Sequence, residues 1–194
     1  MTLGQLFIVS GPSQIGKDSV VRSLWKDKTL RLVHIITYTT RPKRPGEKNG
    51  QAYNFVTPAV FEKMIKQQKF LEWATVRQAY FGTPKQPVQQ ALAKNKNVIL
   101  QIDVQGAAQI KTQLPDTILI FITAESKKEV KRRIFASNKM TKEQKQSRWQ
   151  EAQQELTKKT NYQYLIINRL GQLDQTVSQV KNIIKKHIDL TIDS

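Results

Sequence analysis

Cysteine is absent from this chain of 194 residues, and only two histidines occur, His34 and His187. Without cysteine, the chain can form neither a disulfide framework nor a thiolate metal site. The two histidines are far apart in the sequence and match no metal-binding or catalytic-triad spacing. These absences suit a protein of the reducing cytosol.

Long hydrophobic runs are also missing, and no apolar segment approaches the length of a membrane span. The N-terminal stretch MTLGQLFIVSG is too short and too uncharged for a signal peptide. Both observations predict a soluble, cytoplasmic protein. A chain of 194 residues is long enough for one well-cored domain with a lid or subdomain.

Acidic residues are scarce, because 15 Asp and Glu face 32 Lys and Arg, for a formal net charge of +17. Such an excess favours polyanionic ligands: nucleotides, nucleic acid or an anionic surface. Basic runs such as Lys131–Arg133 are typical of solvated helix faces, and no basic motif interleaved with aromatic residues accompanies them. A nucleic-acid partner is therefore not expected from charge alone, although a polyanion-binding surface stays open as an alternative.

The segment Leu6–Leu24 has the order strand, glycine-bounded loop and helix. Backbone N–H groups in such a loop, the helix dipole and a lysine together bind phosphate; a plain structural turn is the alternative. The consensus has Ser or Thr directly after the lysine to hold Mg²⁺, whereas here the hydroxyl comes one position later. The candidate phosphate-binding residues are Gly11, Pro12, Ser13, Gln14, Ile15, Gly16, Lys17, Asp18 and Ser19.

Apolar periodicity predicts strands that alternate with helices along the chain. Strands are expected at Leu6–Val9, Leu30–Tyr38, Tyr53–Val56, Lys69–Val76, Tyr80–Thr83, Asn97–Asp103, Thr117–Thr123 and Tyr164–Asn168. Helices are expected between them, including Pro84–Lys94 and Ala107–Gln113. The alternation predicts an α/β fold with a mostly parallel sheet flanked by helices, and the short strands between Tyr38 and Thr83 predict an inserted lobe.

Two pairs of arginines could bind phosphate. Arg41 and Arg44 lie in a loop stiffened by Pro and Gly, where guanidinium groups can hold a phosphate in bidentate fashion; a basic surface loop is the alternative. Arg133 and Arg148 flank a polar break near Ser137, so a lid could bring both over a phosphate chain. A phosphate loop with two arginine sets indicates phosphoryl transfer, which depends on positioning and charge neutralisation.

Two carboxylates interrupt or end apolar strands. Glu72 lies within the apolar segment LEWA, where it could accept two N–H bonds from a guanine edge or simply face solvent on an edge strand. Asp103 ends a buried strand, the place where α/β folds put their ligand groups.

Three segments carry a resemblance to the guanylate kinase family: TYTTRPKRPGEKNGQAYNFV, FLEWATVRQAYFGT and VILQIDVQG. The resemblance runs from the phosphate loop to Asn168. It implies a P-loop nucleoside monophosphate kinase that uses ATP and Mg²⁺ to phosphorylate GMP and dGMP. It also implies a core (1–36, 84–132 and 158–194), a small mixed-β GMP-binding lobe (37–83) and a helical lid (about 133–157).

By this resemblance, site roles are carried over residue by residue. Residues 11–19 would cradle the phosphates of ATP, and Lys17, Arg133 and Arg148 would neutralise the moving phosphoryl group. The GMP phosphate would be held by Arg41, Arg44 and Tyr53, and the guanine would be surrounded by Thr37, Glu72, Thr83 and Asp103.

Departures from the family pattern bear on activity. Gln14 replaces a usual Gly and would be strained by roughly 1–3 kcal/mol if left-handed. Asp18, with Ser19 the tentative metal ligand, could bind Mg²⁺ or repel the triphosphate. Phe81, a substrate-side position, replaces a tyrosine. In addition, Gln101 and Ser137 stand where an acidic residue and a lid arginine are expected. A weakened module that binds GMP or another phosphate-bearing ligand is therefore the alternative.

Overall fold

The computed structural model describes residues 3–51, 53–138 and 140–189, and its strands form two sheets. The strands are β1 (Leu6–Ser10), β2 (Leu32–Val33), β3 (Thr37–Thr39), β4 (Tyr53–Phe55), β5 (Phe70–Val76), β6 (Ala79–Pro84), β7 (Asn97–Gln101), β8 (Ile118–Thr123) and β9 (Tyr164–Ile167). The helices are α1 (Lys17–Trp25), α2 (Pro58–Lys66), α3 (Lys85–Ala93), α4 (Val104–Gln113), α5 (Lys127–Phe135), α6 (Lys142–Thr157) and α7 (Leu173–Asp189).

The core sheet has five parallel strands in the order β2-β7-β1-β8-β9. Every residue of β1 is buried because successive side chains enter opposite faces, both of which are covered. Phe7 and Val9 join the cluster that contains Val20 of α1 and Val180 of α7. Leu6 and Ile8 join the opposite cluster with residues of α3 and α4. The predicted α/β fold with a mostly parallel sheet is confirmed.

The second sheet has four strands in the order β4-β3-β6-β5, and it is mixed, since β3 and β4 are parallel and the other pairs antiparallel. Its core is aromatic. Phe61 of α2 stacks on Phe70 and Tyr80 with ring centroids 4.3 and 5.1 Å apart. A Cβ at Gly82 would lie 2.8 Å from Phe70 Cδ1, so this close aromatic packing requires a glycine there.

Short polar side chains begin most of the helices. Ser126 and Thr57 accept hydrogen bonds from backbone N–H groups three residues ahead. Thr141 and Gln144 form a reciprocal capping box at the start of α6. Within the described part of the chain, no helix is both long and apolar enough to cross a membrane.

The prediction of one strand over Leu30–Tyr38 was wrong. Leu30 ends a short 3-10 turn, β2 pairs with β7 in the core sheet, and β3 belongs to the second sheet. The segment has the composition of one strand because Leu30 in the 3-10 turn and Ile35 between β2 and β3 are also buried. The strand predicted to reach Asp103 likewise ends at Gln101, because Asp103 caps α4. The proposed boundaries of core, lobe and lid stay a prediction.

Candidate active site

The loop between β1 and α1 has glycine at two positions where a positive φ and a close contact disfavour a side chain. Gly11 has φ 137°, and a Cβ there would lie 2.0 Å from the carbonyl oxygen of Ile122 in β8. Gly16 has φ 87° and meets Asn168 Nδ2, which would lie 2.8 Å from a Cβ. The loop is therefore packed against the carboxyl end of the core sheet, with its last residues at the start of α1.

Asn168, directly after β9, anchors this loop. Its Nδ2 donates to the carbonyl oxygen of Ile15 at 2.6 Å, and its Oδ1 accepts from Thr176 Oγ1 at 2.7 Å. Asn168 is 6% exposed, so both bonds are shielded from water. Sequence analysis assigned it no role, although a polar residue at the end of an apolar strand was the available signal.

Lys17 is the first residue of α1, and its ammonium group is enclosed by the loop. Its Nζ donates to the carbonyl oxygens of Gly11 and, at 2.6 Å, of Pro12. Burial lowers the pKa of Lys17, opposed by the negative charges of Glu155 and Asp18. The cation thus lies inside the concavity that was predicted to bind phosphate.

The two lid arginines reach the loop in different ways. Arg148 of α6 donates from Nη1 to Ser13 Oγ at 2.6 Å, and burial lowers its pKa. Arg133 of α5 donates from Nη1 to the carbonyl oxygen of Asn168 at 2.8 Å and from Nε to Glu129 Oε1 at 2.7 Å. The structure therefore places Arg148 on the loop itself and Arg133 on the residue that anchors it.

An open cleft of ≈ 430 Å³ lies beside the loop. It is lined by residues 14–16, Ser19, Arg133, Ser137 and residues 168–171, among others. Ser137 therefore lines the cleft at the position where a lid arginine was expected, and Arg132 and Arg133 also line it.

Two of the departures from the family pattern contact each other. Gln101 Nε2, at the end of β7, donates to Asp18 Oδ1 at the start of α1. Gln14 has φ 64°, so it adopts the left-handed conformation in which strain was expected. In the described residues, no group of three or more carboxylate or imidazole side chains could hold a metal ion. A metal at Asp18 and Ser19 would thus need oxygens from a bound ligand as well.

Arg41 is held in a fixed orientation in the loop between β3 and β4 of the second sheet. Its Nη1 and Nη2 each donate to Glu47 at 2.7 Å, and the backbone N–H of Arg44 donates to the same carboxylate at 2.8 Å. The hydrogen bonds from Arg41 lower the pKa of Glu47 to about 2. The Arg41 guanidinium also lies 5.2 Å from the ring centre of Tyr53. Glu47 was not predicted as a site residue, and its contacts show why Arg41 and Arg44 lie together.

Three predicted residues lie on adjacent strands of this sheet. Thr37 of β3 pairs with Tyr53 of β4, and β3 also pairs with β6, which carries Phe81. The Phe81 and Tyr53 rings meet edge to face with centroids 5.8 Å apart. Phe81 therefore supplies an aromatic surface beside Tyr53 but no hydroxyl group.

Glu72 is buried rather than facing solvent, at 5% exposure. Its Oε1 accepts from Thr83 Oγ1 at 2.6 Å across the β5–β6 pair. A Cβ at Gly106 would lie 2.5 Å from Glu72 Oε2, so the carboxylate is packed against the first turn of α4. Burial raises the pKa of Glu72 to about 7, and the negative charge of Asp103 acts in the same direction. Asp103 itself accepts from the N–H groups of Gln105 and Gly106 at 2.7 and 2.9 Å.

Glu155 is a further residue that sequence analysis missed. It belongs to α6, one turn beyond Glu151, and burial raises its pKa to about 7. The charge of Lys17 opposes that shift, which places the carboxylate near the phosphate loop. Two glutamates four residues apart on a helix with little apolar periodicity were the available signal.

A phosphate loop at the carboxyl end of a parallel sheet, with arginines on two further elements, defines a P-loop phosphotransferase. The family model for guanylate kinase matches residues 4–187. The chain belongs to the guanylate kinase family.

Relatives resemble the chain over nearly its full length. It is 40% identical over 186 residues to the guanylate kinase of Sodalis glossinidius. The aligned region covers 95% of this chain and 89% of the relative. The chain is 37% identical over 182 residues to that of Shewanella sp. strain MR-7, which covers 94% and 87%. The solved guanylate kinase from Anaplasma phagocytophilum superposes with a TM-score of 0.79 at 25% identity, which covers 96% of this chain and 87% of that one.

Proposed function

We propose that this protein is a guanylate kinase of the cytoplasm that transfers the terminal phosphoryl group of ATP to GMP or dGMP. A phosphate oxygen of GMP forms a bond to the γ-phosphorus, the bond from that phosphorus to the bridging oxygen breaks, and ADP leaves. The observation that carries the proposal is the buried Glu72–Thr83 pair, in a lobe separate from the phosphate loop. It provides a nucleobase site distinct from the triphosphate site.

Guanine presents two adjacent N–H donors on one edge, and an ionised carboxylate accepts both. Glu72 supplies such a carboxylate, already oriented by Thr83 Oγ1 at 2.6 Å and by the packing against Gly106. A residue held in place before the ligand arrives loses little conformational freedom on binding. Adenine has no equivalent pair of donors on that edge, so Glu72 favours guanine over adenine.

The GMP phosphate would bind beside Tyr53. Arg41 is held there by Glu47, and Arg44 follows on the same loop. Glu47 neutralises part of the charge on Arg41 and so holds the guanidinium in place before GMP binds. The GMP phosphate would then bind to a guanidinium group that is already oriented.

The ATP phosphates would bind the loop between β1 and α1. The N–H groups of the loop and of the start of α1 stabilise anions, and Lys17 would exchange its carbonyl partners for phosphate oxygens. Arg148, hydrogen-bonded to Ser13, would stabilise the negative charge that spreads over the oxygens of the phosphoryl group during transfer. These groups act by position and charge, since phosphoryl transfer requires little covalent chemistry from the protein.

Mg²⁺ is proposed to enter with ATP and to neutralise charge on the phosphates when bound. The donor set suits this limited role because Mg²⁺ in kinase sites takes one or two protein ligands and keeps phosphate oxygens and water. Asp18 and Ser19 are both exposed at the start of α1, and Gln101 directs the Asp18 carboxylate. If Asp18 is a ligand, Asp18→Ser should raise the Mg²⁺ concentration for half-maximal rate about threefold. A several-fold rise in turnover would instead identify Asp18 as a repulsive group.

The test of the proposed function is steady-state ADP formation from Mg·ATP with GMP, dGMP, AMP, CMP or UMP, together with calorimetric GMP binding on the same sample. We expect turnover with GMP and dGMP and little with the other three nucleotides. GMP binding without turnover would favour a weakened binding module. Neither binding nor turnover would mean that the fold is retained without the activity.

A further inference from the structure

The tip of the β5–β6 hairpin has an unusual backbone. Arg77 and Gln78 connect Val76 to Ala79, which pair with each other, and have φ values of 49° and 64°. Two-residue turns with positive φ at both positions normally use Asn and Gly, because a Cβ is crowded in this region. The chain therefore bears backbone strain at the point where it presents a long cationic side chain.

This tip reaches the lid helix. Arg77 Nη1 lies 3.7 Å from Glu151 Oε2 on α6. Glu151 is three residues beyond Arg148, so it lies on the same side of the helix, about one turn away. Arg148 in turn donates to Ser13 of the phosphate loop. One short path of contacts thus joins the hairpin, the lid helix and the loop.

The charge of Arg77 also acts on the loop. It lowers the pKa of Arg148, second only to burial, and lowers that of Lys17 by less than burial or the charge of Arg148 does. Arg44 adds to the effect on Arg148. Without a ligand, the cations of Arg77, Arg148 and Lys17 repel one another. Glu151 on α6 is the carboxylate that pairs with Arg77 on the hairpin.

We propose that Arg77 is a positioning residue, whose pair with Glu151 holds the hairpin against α6 and thereby keeps Arg148 on the phosphate loop. On the proposed function, GMP bound in the lobe strengthens ATP binding through this pair. Arg77 needs no contact with substrate for this role. The Arg77–Glu151 pair couples the two nucleotide sites because Arg77 belongs to the β5–β6 hairpin and Glu151 to the lid helix.

The first test compares Arg77→Asn with Gln78→Asn. Asn tolerates left-handed backbone, so both variants keep the turn, but only the first loses a charge. Binding of a non-hydrolysable ATP analogue is measured with and without GMP. We expect Arg77→Asn to reduce the GMP-dependent gain in analogue affinity about three- to fivefold, the upper range for a partly exposed ion pair. GMP binding alone and the Gln78→Asn variant should be unchanged.

A double-mutant cycle separates the pair from a general structural effect. Glu151→Gln should reproduce the loss, Arg77→Asn with Glu151→Gln should add nothing, and the exchange Arg77→Glu with Glu151→Arg should restore part of the coupling. Additive losses, or no recovery on exchange, would overturn the proposal. The kcat and KM values then show whether the effect falls on ATP binding, as expected, or on GMP binding.

A second measurement does not depend on the enzymatic activity. Since the chain has no cysteine, Thr75→Cys and Gln150→Cys place one spin label on the hairpin and one on α6, both at exposed positions. In the ligand-free protein we expect a narrow label-to-label distance distribution that broadens in Arg77→Asn and stays narrow in Gln78→Asn. Equal distributions in all three proteins would reject the pair. If GMP-dependent turnover is absent, the proposed function fails, while this distance still tests the contact.

Discussion

At the phosphate loop, the groups that face a ligand belong largely to the backbone, whereas in the four-stranded sheet they belong to side chains. The loop depends on Gly11, where backbone contact excludes a side chain, and on Gly16, where the positive φ and the contact with Asn168 disfavour one. The lobe depends on two side-chain pairs, Arg41 with Glu47 and Glu72 with Thr83. The two proposed nucleotide sites are therefore built on different physical bases.

This difference explains how the phosphate loop tolerates two of its departures from the family pattern. Backbone N–H groups remain whichever side chain is attached, so Gln14 and Asp18 occupy the loop without removing its donors. In the lobe, each contact requires a particular functional group. Glu72 in addition bears the cost of burial, which raises its pKa. We expect substitutions in the lobe to be selective for GMP and those in the loop to act through charge and strain.

The largest expected effect is that of Lys17→Ala. It removes the only side-chain cation among residues 11–19, and we expect a loss of kcat of about 10²–10³-fold. GMP binding measured by calorimetry should be unchanged, because the lobe does not use this residue. The control is Lys26→Ala at the exposed end of α1. Full activity of Lys17→Ala would remove the loop lysine from the mechanism.

Glu72→Gln tests the site that side chains form in the four-stranded sheet. Its amide presents a donor toward one of the guanine N–H groups, and we expect kcat/KM for GMP to fall about 10²-fold with KM for ATP little changed. Glu62→Gln, an exposed carboxylate of the same lobe, is the control. An equal loss in both variants would contradict a specific role for Glu72.

The same substitution has a predicted pH signature. Because the folded pKa of about 7 lies above the unfolded value of 4.5, the folded state binds the extra proton and loses stability as pH rises through that window. Glu72→Gln should therefore unfold at the same denaturant concentration as the parent at pH 4. At pH 8 it should be more stable by up to about 3 kcal/mol. In the parent, KM for GMP should fall between pH 6 and pH 8, and this dependence should vanish in the variant.

A smaller effect is expected from Glu47→Gln. The amide can no longer hold Arg41 by two charged hydrogen bonds, so the guanidinium gains freedom that GMP must restrict on binding. We expect KM for GMP to rise about tenfold, with kcat changed much less. Lys48→Gln, at the exposed neighbouring position, controls for charge on this loop. A fall in kcat with constant KM would place Glu47 in the transferring step instead.

The smallest effect is that of Gln14→Gly. Relief of the left-handed conformation should stabilise the protein by about 0.5–1 kcal/mol and leave turnover within about twofold. Gln68→Gly, at φ 52° after α2 and far from the loop in sequence, should give a similar gain. Chemical denaturation measures both. A large rise in turnover of Gln14→Gly alone would mean that strain in the loop limits catalysis.

Sequence patterns predicted the elements that have one character throughout, such as β1 and α3. They failed at Leu30–Tyr38, where two strands of different sheets and the link between them share a composition rich in Leu, Val, Ile and Thr. Burial gives the same composition to a strand and to a buried connection. The strand end before Asp103 was also misplaced, because an Asp can close a strand or cap a helix.

The candidate site divides in the same way. Its candidate residues were visible in separate segments, and the structure brings Arg41 to Tyr53, Glu72 to Thr83 and Arg148 to Ser13. The partners that hold these groups were not predicted. Glu47 contacts residues three and six positions away on its own loop, whereas Asn168 contacts a residue distant in sequence and Glu155 is marked by its burial. The residue types alone do not specify these contacts.

The sequence alone determined the α/β fold class, the phosphate loop and the family, because strand-loop-helix order and residue spacing are local properties. Only the tertiary structure decided that Glu72 is buried, that Asp18 meets Gln101 and that Arg77 reaches the lid helix. Each of these depends on which surfaces are brought together when the helices and sheets pack. Burial, pKa and ion pairing are properties of that assembled environment.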